Sequence, residues 1–116
     1  MTIQILQTVA DIKAREESGE IMPVYFAAAW NPYRERLEPI ACFAERWGDK
    51  GTLTAYAREG QHHGASRDYI REQKAATIEQ AAPLLRELRG IYEDTPDAPR
   101  LQPISRQAFL ILTRGK

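Results

Sequence analysis

Two adjacent histidines, His62 and His63, have the side chains best suited to metal binding or acid–base chemistry in this sequence. Two acidic residues, Glu59 and Asp68, lie near them along the chain. A zinc site needs three or four converging ligands, and adjacent histidines tend to point apart. We therefore predict no metal and no cofactor, and we interpret residues 60–65 as a polar loop whose glycines let the backbone turn.

The candidate nucleophiles have simpler explanations than catalysis. Cys42 lies in an apolar segment, where burial is expected to raise the pKa of the thiol and leave it unreactive. Ser66 is close to the histidines, but it precedes a helical pattern and is best interpreted as a helix N-cap. The sequence shows no phosphate-binding loop, dinucleotide fingerprint or paired-carboxylate motif. We predict that the protein is not an enzyme, and catalysis by His62 or His63 is kept as a third hypothesis.

The middle of the sequence combines aromatic residues with arginines, a composition typical of protein interfaces. Such residues also stack on and neutralise single-stranded nucleic acid. Tyr56 and Arg58 are expected to share the face of a strand opposite the core. The candidate binding residues are Tyr33, Arg34, Arg36, Arg46, Trp47, Tyr56, Arg58, His62, His63, Arg67 and Arg71.

Composition and charge restrict the class of protein. The chain has 116 residues, of which 43 % are hydrophobic, as expected for one globular domain. Its 16 basic and 16 acidic residues give no net charge, although residues 100–116 contain four basic residues and no acidic one. Nucleic-acid-binding domains are usually strongly basic, so the balance favours a protein partner over a nucleic acid.

The sequence also suggests a compartment. A single cysteine allows no disulfide within the chain, which fits a reducing environment. The first residues lack the basic and apolar regions of a signal peptide. The longest apolar run, Val24–Trp30, is far shorter than the roughly 20 residues of a membrane span. We expect a cytoplasmic protein with no membrane association.

Helix and strand signals alternate along the first half of the chain. Thr8 and Gly19 delimit a predicted helix over residues 8–18. The aromatic run Val24–Trp30, between two prolines, predicts a buried strand. Ile40–Trp47 and Thr52–Arg58, separated by a four-residue turn, predict a β-hairpin, with a helix over residues 40–47 as the alternative. Leu53, Ala55 and Ala57 form its expected core face.

The second half predicts two helices and a strand. A short helix follows Ser66, and Thr77 with Gln80 has the form of a capping box. Pro83 would interrupt a helix that began at residue 78, so we expect the helix mainly over residues 83–93. Residues 100–106 predict a strand that Pro103 restricts to a sheet edge. The apolar run 109–112 could add a strand, dock on the core or meet a partner.

Together these elements predict an α+β fold in a single domain, residues 1–116. We expect an antiparallel sheet with a central hairpin, packed against one or two amphipathic helices. The helix over 83–93 would cover one face, with the helix over 8–18 beside it. Residues 1–20 would form an N-terminal helical segment, and residues 107–116 a C-terminal extension.

Four segments together resemble small accessory proteins of bacterial mobile genetic elements, a group without an assigned activity. The segments are Trp47–Gly51, Thr54–His62, Ser66–Ile70 and Pro83–Leu88. The resemblance covers roughly residues 22–106, departs at Ile78, where the pattern favours proline, and does not extend to residues 107–116. It implies an accessory role, such as inhibition or modulation of a host defence system, and it carries over no catalytic residue.

These observations predict a non-enzymatic protein that binds a protein partner. Homodimerisation through the edge at residues 100–112 is one form of this hypothesis. The alternative is a nucleic-acid-binding accessory protein that uses Arg46, Arg58, Arg67, Arg71 and the basic C-terminal tail.

Overall fold

The chain folds into a six-stranded sheet with helices on both faces. A computed structural model describes residues 3–57 and 61–116. Within that part of the chain the elements are α1 (Val9–Glu17), β1 (Ile21–Asn31), β2 (Arg36–Arg46), β3 (Thr52–Ala57), β4 (Gln61–Ser66), α2 (Arg67–Glu72), β5 (Lys74–Ala75), α3 (Ile78–Tyr92), β6 (Arg100–Pro103) and α4 (Arg106–Leu112).

Strand β1 organises the sheet. The strand order is β4–β3–β2–β1–β5, and β6 also pairs with β1. The sheet is antiparallel except for the β1–β6 pair, which is parallel. A parallel pair needs a long crossover, and the chain between β1 and β6 provides one that includes α3. The predicted α+β class is confirmed, and the parallel pair was not foreseen.

The uninterrupted apolar sequence of β1 reflects a sheet that is buried on both faces. Tyr25 and Ala27 pack on one face with residues of α1, α2 and α4. Val24 and Phe26 pack on the other face with residues of α3. A strand covered on both sides needs apolar residues at every position instead of alternation. The expectation that the first helix lies beside the long helix is wrong, because α1 and α3 pack on opposite faces.

The predicted hairpin is present as β2 and β3, so the alternative of a helix over residues 40–47 is wrong. The prediction that only one face of this hairpin meets the core is also wrong. Leu53 is buried as expected, but Thr54 and Tyr56 on the opposite face are buried too. The cause is α3, whose leucines cover the face that was expected to meet solvent.

The interpretation of residues 60–65 as a loop is wrong for the described residues, since Gln61–Ser66 is strand β4. Its residues have little intrinsic preference for strands, so pairing along the whole of β3 decides the structure. Gly64 leaves room for a neighbouring ring. A Cβ atom there would lie 2.6 Å from Cδ1 of Trp47 and 2.7 Å from Cγ2 of Thr52.

Helix α3 begins at Ile78, earlier than expected, and continues through Pro83. The predicted capping box is present: the Thr77 side chain accepts from the Gln80 N–H at 3.1 Å, and the Gln80 side chain accepts from the Thr77 N–H at 2.8 Å. Pro83 has no backbone N–H, so the helix loses one hydrogen bond at this position. The capping box and the buried leucines stabilise the helix enough to compensate for that loss.

The C-terminal segment completes the core. The predicted strand over residues 100–106 ends at Pro103, and Arg106–Leu112 forms helix α4. Phe109 of this helix is fully buried and stacks on Tyr25, with ring centroids 5.3 Å apart. Docking on the core, one of three interpretations of the last apolar run, is therefore the observed one.

Candidate functional site

The β1–β2 hairpin ends in a turn that exposes large apolar side chains. Trp30 and Leu37 are cross-strand partners beside the turn, and they are 57 % and 46 % exposed. Tyr33, within the turn, is 96 % exposed. We call residues 30–37 the hairpin tip. Tyr33, Arg34 and Arg36 were predicted as binding residues, whereas Trp30 and Leu37 were missed.

Hydrogen bonds within the hairpin hold the backbone of the tip in place. The Asn31 Oδ1 atom accepts from the N–H groups of Tyr33 at 2.9 Å and Arg34 at 3.4 Å. The Arg36 Nε atom donates to Glu38 at 3.1 Å, and the Asn31 amide donates to the same carboxylate at 3.3 Å. Desolvation acts to raise the pKa of Glu38, but these hydrogen bonds and the positive charges of Arg34 and Arg36 together lower it. The apolar side chains are thus displayed on a turn whose backbone is held in place.

Arg46 and Trp47 lie at the other end of β2 from the tip. Both are exposed, and Trp47 packs over Gly64 of β4. Ten residue steps separate Arg36 from Arg46, which corresponds to roughly 33 Å along a strand. The structure therefore does not bring the predicted aromatic and arginine residues together in one site.

Tyr56 does not face solvent as expected. It is buried under α3, and its hydroxyl donates to Glu87 at 2.6 Å. The hydrogen bond to Glu87 and, to a lesser extent, burial raise the pKa of Tyr56. Its prediction as an exposed binding residue is wrong, because α3 covers that face of the sheet. Arg58 lies outside the described residues.

The two histidines point to opposite faces of β4, as adjacent strand residues do. The half-buried His62 ring packs edge-on against Tyr56 with centroids 4.8 Å apart, and it is hydrogen-bonded to the Tyr92 hydroxyl. Burial, followed by the charge of Glu45, raises the pKa of Tyr92. His63 is exposed. Across residues 3–57 and 61–116, no three His, Cys, Asp or Glu side chains are grouped to hold a metal ion.

Arg67 and Arg71 belong to α2, and both side chains contact other groups of the chain. The Arg67 guanidinium donates to the Leu110 carbonyl at 2.6 Å and to the Thr113 hydroxyl at 3.0 Å. The exposed Arg71 forms an ion pair with Asp68 at 3.2 Å. Arg67 thus links α2 to α4 and to the residue that follows it.

A second candidate site is an apolar cavity at the edge of β1. Strand β6 pairs with β1 as far as Val24, and β5 pairs with it from Ala27, so neither short strand lies opposite Tyr25 and Phe26. A cavity of about 280 Å³ lies beside this gap. Its wall includes Ile3, Ile5, Phe26, Leu85 and Ile104, and its polar lining includes Gln7, Thr77, Ser105 and Arg106.

Tyr25 is the unusual residue of this cavity. The side chain is 2 % exposed, and among the described residues its hydroxyl is the buried side-chain polar atom that has no hydrogen-bond partner. Desolvation raises the pKa of Tyr25 to about 12, while the positive charge of Arg106 acts in the opposite direction. The hydroxyl therefore stays protonated, and it has almost no surface that a bound molecule could reach.

Sequence patterns gave little warning of the cavity. Two short strands, β5 and β6, share one edge of β1. Tyr25, Thr77 and Arg106 come together only because of this arrangement. The capping box identified Thr77 as the start of a helix, but nothing indicated what that helix start would face. The exposed Trp30 could have been recognised from its position beside the Asn31–Pro32 turn signal.

The structure thus defines an α+β domain with two features of functional interest, the hairpin tip and the cavity. No helix of the described residues has the length and apolar character required to cross a membrane. Comparison of the chain with protein-family models, curated proteins and solved structures finds no match to any of them. Its function is therefore inferred from the residues themselves.

Proposed function

We propose that this protein is a non-enzymatic binding protein that docks on another protein through its hairpin tip. The observation that carries this proposal is the exposure of Trp30, Tyr33 and Leu37 on one turn. Aromatic side chains provide large contact area at little entropic cost, and tryptophan, tyrosine and arginine dominate the binding energy of protein interfaces.

The arrangement of the tip supports an insertion mode of binding. Its apolar side chains project from a turn held by Asn31 and Glu38, so little ordering is needed on binding. The side chains of Arg34 and Arg36 are 62 % and 58 % exposed, whereas that of Glu38, between them, is 17 % exposed. The complementary partner would offer an apolar recess with acidic residues at its rim.

The contacts of the basic residues favour a protein partner over a nucleic acid. The guanidinium of Arg67 binds the Leu110 carbonyl, that of Arg106 binds the Arg71 carbonyl, and the Lys116 ammonium binds the Ala44 carbonyl. Groups engaged in this way are less available to phosphates, which are the main source of affinity for nucleic acid.

The resemblance to accessory proteins of mobile genetic elements suggests where the partner would be found. A protein of the bacterial host, for example a component of a defence system, is the first candidate. The single cysteine, Cys42, is buried and suits a reducing compartment, so we place this function in the cytoplasm.

The test compares two variants that each remove exposed aromatic surface. In Trp30→Ala/Tyr33→Ala the tip loses its aromatic side chains, and in Tyr69→Ala an exposed tyrosine is removed from α2. Crosslinking in the host followed by mass spectrometry should identify a protein that binds wild type and Tyr69→Ala. The affinity of the purified partner for the tip variant should fall at least about 100-fold, as for loss of interface hot spots.

Two outcomes would overturn the proposal. One is equal affinity of the partner for wild type and the tip variant. The other is self-association in light scattering that the tip variant abolishes, since the tip would then bind a second copy of the chain. A gel shift with nucleic acid that weakens steeply with salt and persists in the tip variant would favour the alternative function.

A further inference from the structure

Strand β4 forms one edge of the sheet, and its outer side is open. Among the described strands its one neighbour is β3. Thr52 of β3 directs its backbone groups towards β2, since its carbonyl accepts from the Trp47 N–H at 2.8 Å. Backbone groups alternate in direction along a strand, so the odd-numbered residues of β4 bond to β3 and the even-numbered ones point away. His62 and Gly64 therefore each present an N–H and a C=O group at the open edge.

The composition of β4 differs from that of the opposite edge, which β5 and β6 form. Natural edge strands are protected from pairing with another chain by short length, lysine or proline. Strand β5 is two residues long and contains Lys74, and β6 contains Arg100 and Pro103. Strand β4 has six residues and contains no Asp, Glu, Lys, Arg or Pro. It is therefore the edge suited to accept a further strand.

An exposed aromatic side chain lies beside this open edge. Trp47 packs over Gly64, where a Cβ atom would lie 2.6 Å from the ring, and Trp47 is 45 % exposed. A strand added at β4 would gain apolar contact with the indole ring as well as backbone hydrogen bonds. Backbone hydrogen bonds supply the affinity in strand addition, and neighbouring side chains supply the specificity.

We propose that two copies of the chain associate through antiparallel pairing of their β4 strands about a two-fold axis. His62 of each copy lies opposite Gly64 of the other, so each outward N–H group meets a carbonyl of the second copy. His63 then lies opposite His63 of the second copy. Because β4 contains no acidic residue, lysine or arginine, pairing with its own copy sets no such like charges opposite each other. This self-complementarity favours a second copy over a foreign strand.

This pairing leaves the hairpin tip free. The tip is formed by β1 and β2, and β3 lies between β2 and β4. A dimer paired at β4 would display two tips, so it would bind a partner with two recesses more tightly than a single chain does. Association through β4 does not depend on the tip, and different variants test the two surfaces.

Sedimentation equilibrium and amide hydrogen exchange test the association. At about 1 mM the wild type should be mainly dimeric, with twice the mass of one chain, which requires a Kd below about 0.1 mM. The N–H groups of His62 and Gly64 should be protected from exchange at this concentration and lose that protection on dilution, because they point away from β3 and bond to the second copy.

Charge at position 63 tests the two-fold geometry. His63→Glu and His63→Lys each place like charges opposite each other, so either variant alone should have a dimer Kd at least about tenfold above that of wild type. An equimolar mixture should recover the dimer, since opposite charges then face each other, and this recovery shows that both variants fold. Gln107→Glu and Gln107→Lys introduce the same charges at an exposed position of α4 and should dimerise as wild type does.

Three results would overturn the proposal. The first is a wild type that stays monomeric at about 1 mM. The second is equal dimerisation of wild type, His63→Glu and His63→Lys. The third is a dimer that Trp30→Ala/Tyr33→Ala abolishes, since the interface would then be the hairpin tip.

Discussion

The hairpin tip and the cavity depart from the usual distribution of polar and apolar groups in opposite ways. At the tip, Trp30, Tyr33 and Leu37 are apolar and exposed, while the polar groups around them are paired. In the cavity, the Tyr25 hydroxyl is polar and buried without a partner among the described residues. Both features belong to β1, the tip at its end and the cavity at its open edge.

This difference predicts different consequences of substitution in the two regions. An exposed apolar turn has no need of a ligand for folding and offers its surface to a macromolecule. A buried hydroxyl without a partner lowers the stability of the protein. Changes at the tip should therefore alter binding without altering stability, whereas changes around Tyr25 should alter stability.

The largest contrast between the two regions is expected in stability. Phe109→Ala removes a fully buried ring that stacks on Tyr25, and it should lower the free energy of unfolding by about 3–5 kcal/mol. Tyr33→Ala removes a ring of similar size from the tip and should change the free energy of unfolding by less than about 0.5 kcal/mol. Urea unfolding monitored by circular dichroism measures both. A tip variant as unstable as Phe109→Ala would show that the tip belongs to the core.

Sequence reasoning succeeded where a local pattern is decisive. The capping box at Thr77, the Ser66 cap and the turn between β2 and β3 depend on neighbouring residues, and all are present in the structure. Periodicity indicates which residues can share a face of an element, but it does not say whether a second layer covers that face. The burial of Tyr56 beneath α3 therefore cannot be predicted from periodicity.

The candidate site was predicted only in part for the same reason. The tip depends on a turn, and its Tyr33, Arg34 and Arg36 could be identified from the Asn31–Pro32 signal and the residue types. The cavity depends on topology. Its residues are separated by long stretches of chain, and nothing in their local sequence indicates that β5 and β6 leave a gap between them.

Alkaline pH should act on the face of the sheet that packs against α1, α2 and α4. Burial raises the pKa of Cys42 from 9.0 to about 12 and that of Tyr25 from 10.0 to about 12. Both groups lose a proton more readily in the unfolded chain, so their contribution to stability is complete below about pH 9 and lost as the pH rises toward 12. The free energy of unfolding should fall by on the order of 2 kcal/mol between pH 9 and 11.

The control for this prediction is Tyr25→Phe/Cys42→Ala, which lacks both titrating groups. Its free energy of unfolding should fall less over the same range, and the remaining decrease should reflect Tyr56 and Tyr92, whose pKa values are also raised. A decrease equal to that of wild type would contradict the assignment to these two buried groups.

The two buried tyrosines offer a closer comparison. Tyr56→Phe removes a hydroxyl that donates to Glu87, and it should lower the free energy of unfolding by about 1 kcal/mol. Tyr25→Phe removes a hydroxyl without a partner, so the free energy of unfolding should stay the same or rise by up to about 1 kcal/mol. Denaturant titration of the ligand-free protein checks both. A loss at Tyr25 as large as that at Tyr56 would mean that its hydroxyl is already paired.

The smallest expected effect concerns the backbone of the tip. Glu35 has a φ of 51°, in the left-handed region where a side chain is strained. Glu35→Gly should relieve that strain and raise the free energy of unfolding by about 0.5 kcal/mol, after allowing for the greater entropy of glycine in the unfolded chain. Glu35→Ala keeps a Cβ atom and should show no such gain. If the apolar tip binds as proposed, Glu35→Gly should keep its affinity for the partner, because Trp30 and Tyr33 remain displayed on the same turn.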